Sequence, residues 1–526
     1  MLRAILTAPV DLLYNGGIGT YVKGSSESSA QVGDKANDAV RVDGRDLRVK
    51  VIGEGGNLGL TQLGRIEAAL NGVILNTDAI DNSAGVDCSD HEVNIKIFVD
   101  RMVVAGKLDA ADRAEFLASM TDEVARLVLK DNLAQNILLL NDRVRVTSWS
   151  PSYERLMDWM EASGDLKRDL EALPTTATLR ERLEHGQGLT SPELSVLAAY
   201  AKIELATALL DSDLADDPWF GATLREYFPA QLSERFDAEL DTHPLRREII
   251  ATVVANDMIN LGGVTFAFRA IEETSAGPAT IARAFVALRE IFEVNVMVDE
   301  LNALPSSFPT EHWTAIHLDL RRLLDRAVRW QVNQGGSQSV GDVVAQYKPQ
   351  VDLLRANLVD YVQGGDLKRL RLLLERAEGW GLPGSLGRRW SELFEAFVLL
   401  DVAKIAARER APMADVAAVY YTVYDRFEVD DLLERITRLP RKDRWQALAR
   451  AALRDDLYST TADIATTVLE TTATGDAEER VAAWLALNQE QLDRVRSVFE
   501  EVNALGQDDM ASLSVAMRQL RSIVRR

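Results

Sequence analysis

Near Gly106 the sequence changes grammar, and the change restricts the chain to two kinds of structure in succession. Thirteen of its 32 glycines fall in the first 100 residues. The same stretch holds short β-like runs at Val10–Tyr14, Leu47–Ile52 and Val73–Leu75, the last continuing towards Ile80. Beyond Gly106, long Ala/Leu/Arg/Glu segments place apolar residues three and four apart, which predicts helices. Leu194, Leu197, Ala201, Leu205 and Leu209 fall on one stripe of such a helix. Ser191 can cap it, with Pro192 at the first helical position and Glu193 beside the positive end of the helix dipole. The expected architecture is therefore an α/β N-terminal part followed by a large all-α helical region.

The run VNQGGSQSVGD at 332–342 is polar, glycine-rich and aperiodic, which marks it as a linker between helical segments. Expected domains are 1–105, 106–331 and 342–526. Tyr420, Tyr421 and Tyr424, and likewise Trp445 and Leu448, sit at helical spacing and are expected in a core. Asn260-Leu261-Gly262-Gly263-Val264 interrupts an apolar helical pattern, and close packing at small residues is the expected reason.

A formal charge of −22 repels phosphate backbones and anionic lipid, so no nucleic-acid or membrane-surface partner is expected. No stretch reaches about 18 apolar residues without charge, which argues against a membrane span. A single cysteine, Cys88, excludes an intramolecular disulfide and fits a reducing, cytoplasmic setting.

In an open parallel sheet ligands sit beyond the carboxyl ends of the strands, so the residues after each β-run carry the functional information. After Leu13 comes Tyr14-Asn15-Gly16-Gly17-Ile18-Gly19; after Ile52 comes Gly53-Glu54-Gly55-Gly56-Asn57; after Ile80 comes Asp81-Asn82-Ser83-Ala84-Gly85. Three times an asparagine arrives among small residues. A carboxamide both donates and accepts, and glycine lets a flat ring or a ribose approach the backbone. The loop at 53–58 is not a dinucleotide phosphate fingerprint, because Leu58 stands where the sixth-position glycine belongs.

Metal-binding readings are weaker. Asp81 to Glu92 has the length of an EF-hand loop, but Val86 occupies the position that needs glycine. Cys88-Ser89-Asp90-His91 lacks a second pair of ligands, so no metal site is expected. His91 is expected to pack at the start of an amphipathic helix. Lys23 and Lys35 read as surface charges rather than catalytic bases, and His185, His243, His312 and His317, read as helix-end or loop residues, have no partner spacing.

The strings DLLYNGGIGTYVK (11–23), KVIGEGGNLGLTQLGR (50–65) and NTDAIDNSAGVDCSDHEVNIKI (76–97) resemble the nicotinamide-side half of the large bacterial NAD-dependent glutamate dehydrogenases. SPELSVLAAYAKIEL (191–205), LRREIIATVVANDMINLGGVTFAFR (245–269) and DRWQALARAALRDDLYS (443–459) resemble the helical C-terminal region of the same family. The resemblance implies that residues 1–105 are the C-terminal half of a Rossmann-like NAD-binding domain. It places Asn57 near the nicotinamide ribose, with Gly55 making room, Asn82 near the nicotinamide carboxamide and Ser89 near the substrate carboxylate; Asn15 corresponds by order to the preceding strand end. Ala84 departs from the glycine of smaller family members, and alanine is still small.

The activity implied is oxidative deamination of L-glutamate to 2-oxoglutarate and ammonia with NAD. The implied assembly is a homo-oligomer such as a tetramer. The family's catalytic lysine and phosphate-binding glycines belong upstream of these motifs, so no catalytic residue is assigned and the isolated chain is expected to be inactive. Two other readings are a non-catalytic helical assembly or regulatory module and a different amino-acid dehydrogenase.

Overall fold

The computed structural model describes every residue except 336, 337, 473, 505, 507, 525 and 526. Two residues of the expected linker at 332–342 thus lie outside the described ones. The chain forms two compact units, residues 1–271 with 277–282 and residues 272–276 with 283–526. Residues 1–105 lie wholly in the first and 342–526 wholly in the second.

The strands of the first unit are short. Strand β1 (Leu12–Asn15) pairs in parallel with β4 (Val51–Glu54), in the register Leu12 to Val51 and Asn15 to Glu54. The run at 73–75 joins the other side of β4 through one parallel bridge, Val51 to Ile74. A separate parallel pair, β2 (Val22–Lys23) with β3 (Val42–Asp43), was not expected. The continuation of the third strand to Ile80 is not observed: residues Asp78–Asp81 form a helical turn, and a 22-residue helix, Ser83–Val104, follows directly. Asn82 therefore caps a helix rather than ending a strand, and His91 lies in that helix's third turn rather than at its start. Asp78, Asp81, Asn82 and Ser83 crowd the expected continuation, and such short polar side chains favour turns and helix starts over strand.

Side chains alternate across the sheet. Ile52 and Leu75 point into a buried cluster with Val22, Val42, Leu47, Val49, Leu60, Ala68 and Val73. The opposite face is uncovered, with Leu12 57%, Tyr14 66%, Val51 37% and Ile74 48% exposed. The sheet leans on helices from its other side. Gln62 Nε2 donates to the Pro192 carbonyl (3.1 Å), Ser191 Oγ to Asn76 Oδ1 (2.7 Å), and Asn132 Nδ2 to the Ile80 carbonyl (2.8 Å).

The helix Ser191–Leu210 forms with its expected stripe buried. Its cap is Thr190, one residue earlier than expected. The Thr190 backbone N–H donates to the Glu193 carboxylate (2.7 Å), and Arg182 holds the same carboxylate (2.8 Å). Proline at the second helical position needs no N–H partner, which leaves the capping role to the residue before Ser191. Gly262 ends the helix Arg246–Gly262, and a Cβ there would sit 2.4 Å from Phe266, so the close-packing expectation holds.

Among the described residues the second unit is helical. The helix Gly384–Glu409 buries Leu386, Trp390, Leu393, Phe397 and Leu400, and Tyr420, Tyr421 and Tyr424 are buried as expected. Trp445 departs from expectation: it is 74% exposed, with the Arg444 guanidinium 5.5 Å from its ring. It sits in the first turn of Arg444–Thr471, ahead of the point at which that helix becomes buried. His317 lies inside the helix Thr310–Asn333, buried, rather than at an end or in a loop.

Candidate functional site

Parallel pairing brings the carboxyl ends of β1 and β4 to the same edge of the sheet, and the 14–20 and 53–60 loops interlock there. The Gly55 N–H donates to the Asn15 carbonyl (2.8 Å), and Thr20 Oγ1 donates to the Leu58 carbonyl (2.7 Å). Glycine is required where the loops meet: a Cβ on Gly56 would sit 2.6 Å from the Gly17 carbonyl oxygen, and one on Gly55 would collide with the Tyr14 ring. Leu58 takes a positive φ of 58°, rare for a branched side chain, and its N–H donates to Asp78 (2.7 Å). This strained residue directly follows Asn57.

The two expected cofactor asparagines of the later loops meet at this edge. Asn82 Nδ2 donates to Asn57 Oδ1 at 3.1 Å. Asn57 is exposed. Asn15 reaches the edge with its backbone, while its carboxamide turns inward beneath Gly59 and its buried Nδ2 has no partner. Ser89 lies two turns along the helix that Asn82 caps, and residues seven apart share a helix face. It is exposed. The structure thus joins Asn57 to Asn82 directly, ties Gly55 to the Asn15 backbone, and sets Ser89 about 10 Å along the helix face that Asn82 begins.

Beneath the edge is an ionic network that sequence reasoning missed. Glu54 and Arg65 are both buried and form a two-pronged pair, Nε to Oε1 at 2.6 Å and Nη2 to Oε2 at 2.8 Å. Arg65 also reaches Asp78 (3.0 Å), and the Glu54 N–H donates to Asp81 (3.0 Å). Burial pushes the Glu54 carboxyl above its ordinary pKa against the opposing pull of Arg65, and burial raises Asp81 as well. The network ties the end of β4, the following helix Gln62–Leu70 and the turn before Asn82 into one rigid support. The available signal was a charged residue on the apolar face of a helix: Arg65 lies next to Ile66 and three residues before Ala68, both buried.

Neither lysine weighed as a base stands at this edge. Lys23 pairs with Asp43, and Lys35 is exposed in a 3-10 turn. Elsewhere in the unit, burial pushes Lys202 down to about 8, opposed by Asp131 and Asp257. Burial and Asp87 push Asp131 up to about 6, although part of that residue reaches solvent. Burial also lowers His91 and raises Asp87.

Comparisons with known proteins match both the N-terminal part and the helical region of the chain. Residues 186–522 match the family described as "Glutamate dehydrogenase, C-terminal", and residues 1–142 match "Bacterial NAD-glutamate dehydrogenase, catalytic domain". The chain belongs to the bacterial NAD-dependent glutamate dehydrogenase family. Among curated relatives named NAD-specific glutamate dehydrogenase, that of Mycobacterium tuberculosis is 43% identical over 527 residues, covering 100% of this chain. Those of Halomonas elongata and Pseudomonas aeruginosa are each 40% identical and cover 99% of it. The chain spans 32% of the length of each of these relatives.

Proposed function

We propose that this chain forms the nicotinamide-side wall and the C-terminal helical region of an enzyme that converts L-glutamate, NAD⁺ and water into 2-oxoglutarate, ammonium, NADH and a proton. The observation that carries this reading is the Asn57–Asn82 pair, set at a glycine-lined strand-end edge on a buried ionic support. The fit to the cofactor is supported by the exposed position of Asn57 at that edge, where its carboxamide and that of Asn82 face each other.

When bound, NAD supplies a hydride acceptor for the glutamate α-carbon. The residues of this chain bind and orient. Asn57 and Asn82 offer donors and acceptors to the ribose and carboxamide, Gly55 allows close approach, Asn15 braces the loop between them, and Ser89 donates its hydroxyl to a substrate carboxylate.

The uncovered face formed by Leu12, Tyr14, Val51 and Ile74 supports a Rossmann-like reading of residues 1–105, because parallel sheets are covered on both faces. The remainder of the cofactor domain packs there, and the catalytic lysine comes with it. Residues 342–526, which hold none of these positions, serve assembly of a homo-oligomer such as a tetramer. A cytoplasmic setting belongs to the same reading. Among the described residues no single helix is long and apolar enough to cross a bilayer.

The test is a chimaera in which this chain replaces the matching third of the Mycobacterium tuberculosis relative. It is expected to reduce NAD with glutamate, whereas the isolated chain produces no NADH. In the chimaera Ser89→Ala should raise KM for glutamate by about 10- to 100-fold, the loss of a hydrogen bond to a charged group. Turnover by the isolated chain, or a Ser89→Ala chimaera with unchanged kinetics, would overturn the assignment.

A further inference from the structure

A second constellation lies in the first unit, on residues the glutamate chemistry does not use. Asp87 and His91 stand one turn apart on the helix Ser83–Val104, and the 43-residue helix Thr121–Ser163 brings Asp131 against them. One carboxylate oxygen from each aspartate and one ring nitrogen of His91 all lie within 4.8 Å of one another. His91 is 2% exposed, yet neither of its ring nitrogens has a hydrogen-bond partner. Its Nε2 stands 3.8 Å from Asp87 Oδ1, too far for a hydrogen bond.

The ring is held in place from outside the cluster. It stacks on Tyr227 with centroids 4.4 Å apart and planes 17° from parallel, and Tyr227 Oη is itself fixed by Asn94 Nδ2 (2.8 Å). A buried imidazole, locked in orientation and aimed at two carboxylates without bonding either, is an incomplete polar arrangement. A cation between the three groups completes it.

We propose that Asp87, His91 and Asp131 form a binding site for a divalent transition metal of the zinc class. One nitrogen and two carboxylate ligands suit Zn²⁺, whereas Ca²⁺ and Mg²⁺ prefer sets made wholly of oxygen. The i, i+4 spacing of Asp87 and His91 places both ligands on one helix face, and Asp131, an exposed residue, leaves a coordination position to solvent. Asp90 and Asp257 add negative charge nearby, with Lys130 and Lys202 as the opposing cations. The motif Cys88-Ser89-Asp90-His91 thus contributes only its histidine, Cys88 being exposed. The missing ligand comes from forty residues downstream, which sequence spacing could not reveal. The metal would cross-link the helix that carries Ser89 to the helix Thr121–Ser163 and act as a structural clamp.

The test uses the full 526-residue chain, stripped with a chelator and dialysed against Zn²⁺ in excess Mg²⁺, with bound metal counted by mass spectrometry. One equivalent of Zn²⁺ is expected, and Co²⁺ in its place should give visible d–d absorption. Asp131→Asn, nearly isosteric at an exposed position, and His91→Gln should each weaken Zn²⁺ binding by at least about tenfold, with an unchanged circular dichroism spectrum for Asp131→Asn. His185→Gln, at an exposed histidine elsewhere, should bind normally. Failure to bind one equivalent, or full binding by both Asp131→Asn and His91→Gln, would overturn the site. None of these readouts depends on dehydrogenase activity, so the site can fail or stand independently of the proposed reaction.

Discussion

Asn82 donates its carboxamide N–H to the Oδ1 of Asn57 across 3.1 Å, joining two loops 25 residues apart in sequence. The pair holds each side chain in orientation before any ligand arrives. In the chimaeric enzyme, Asn57→Ala and Asn82→Ala should each raise KM for NAD, Asn82→Ala more than it raises KM for glutamate. The double variant should lose less than the product of the two, with a coupling of about 0.5–1.5 kcal/mol. Strictly multiplicative effects in steady-state kinetics would mean that the two side chains do not act as a unit.

The Glu54–Arg65 pair is buried at both ends, so removing one partner leaves an uncompensated charge. Arg65→Ala, which strands Glu54 beside Asp78 and Asp81, should destabilise the first unit by about 3–5 kcal/mol. Glu54→Leu with Arg65→Met should cost far less than the two single changes summed, because hydrophobic replacement of both members avoids the stranded charge. Urea unfolding of the parent and these variants measures this directly.

Adjacent glycines should respond differently to alanine. At Gly55 the new methyl meets the ring of Tyr14, an exposed side chain that can swing away; at Gly56 it meets the Gly17 backbone carbonyl, which cannot move without parting the two loops. Gly56→Ala should therefore lower the melting temperature and weaken NAD binding in the chimaera, and Gly55→Ala should do less of both. Equal effects would contradict the interlocked-loop geometry.

Asp401, fully enclosed in the second unit, accepts a hydrogen bond from Trp330 Nε1 (2.7 Å), and burial pushes its carboxyl up to about 6. A folded-state pKa above the unfolded value means that the folded chain holds the proton more tightly. Stability from this group is complete below about pH 4 and is lost as pH rises through about 6. Asp401→Asn cannot ionise and can still accept from Trp330. Relative to the parent it should gain stability between pH 4 and pH 7, by about 2–3 kcal/mol at the upper end. Denaturant midpoints at several pH values give the curve, and a flat difference would count against it.

Local pattern was enough for the helices. The stripe Leu194 to Leu209 is buried as periodicity requires, because a helix places residues three and four apart on one side whatever surrounds it. The missed capping residue, Thr190 rather than Ser191, and the exposed Trp445 show where that reasoning ends. Which residue caps depends on where Pro192 can begin the helix, and whether a first turn is covered depends on neighbours distant in the chain. The strand forecast through Ile80 fails for a related reason, since short apolar runs suit either structure until pairing selects one.

The candidate site divides in the same way. Residue types alone pointed to the asparagine and glycine loops, because carboxamides and small residues at strand ends have a chemistry that needs no partner to be read. Long-range contact alone established that Asn57 touches Asn82 while the Asn15 carboxamide turns inward, that Glu54 and Arg65 form the support, and that Asp131 completes the set begun by Asp87 and His91. Sequence encodes the functional groups and their local spacing. Three-dimensional packing sets the distances between groups tens of residues apart, and those distances govern whether a charge is paired, a carboxamide is free or three ligands converge.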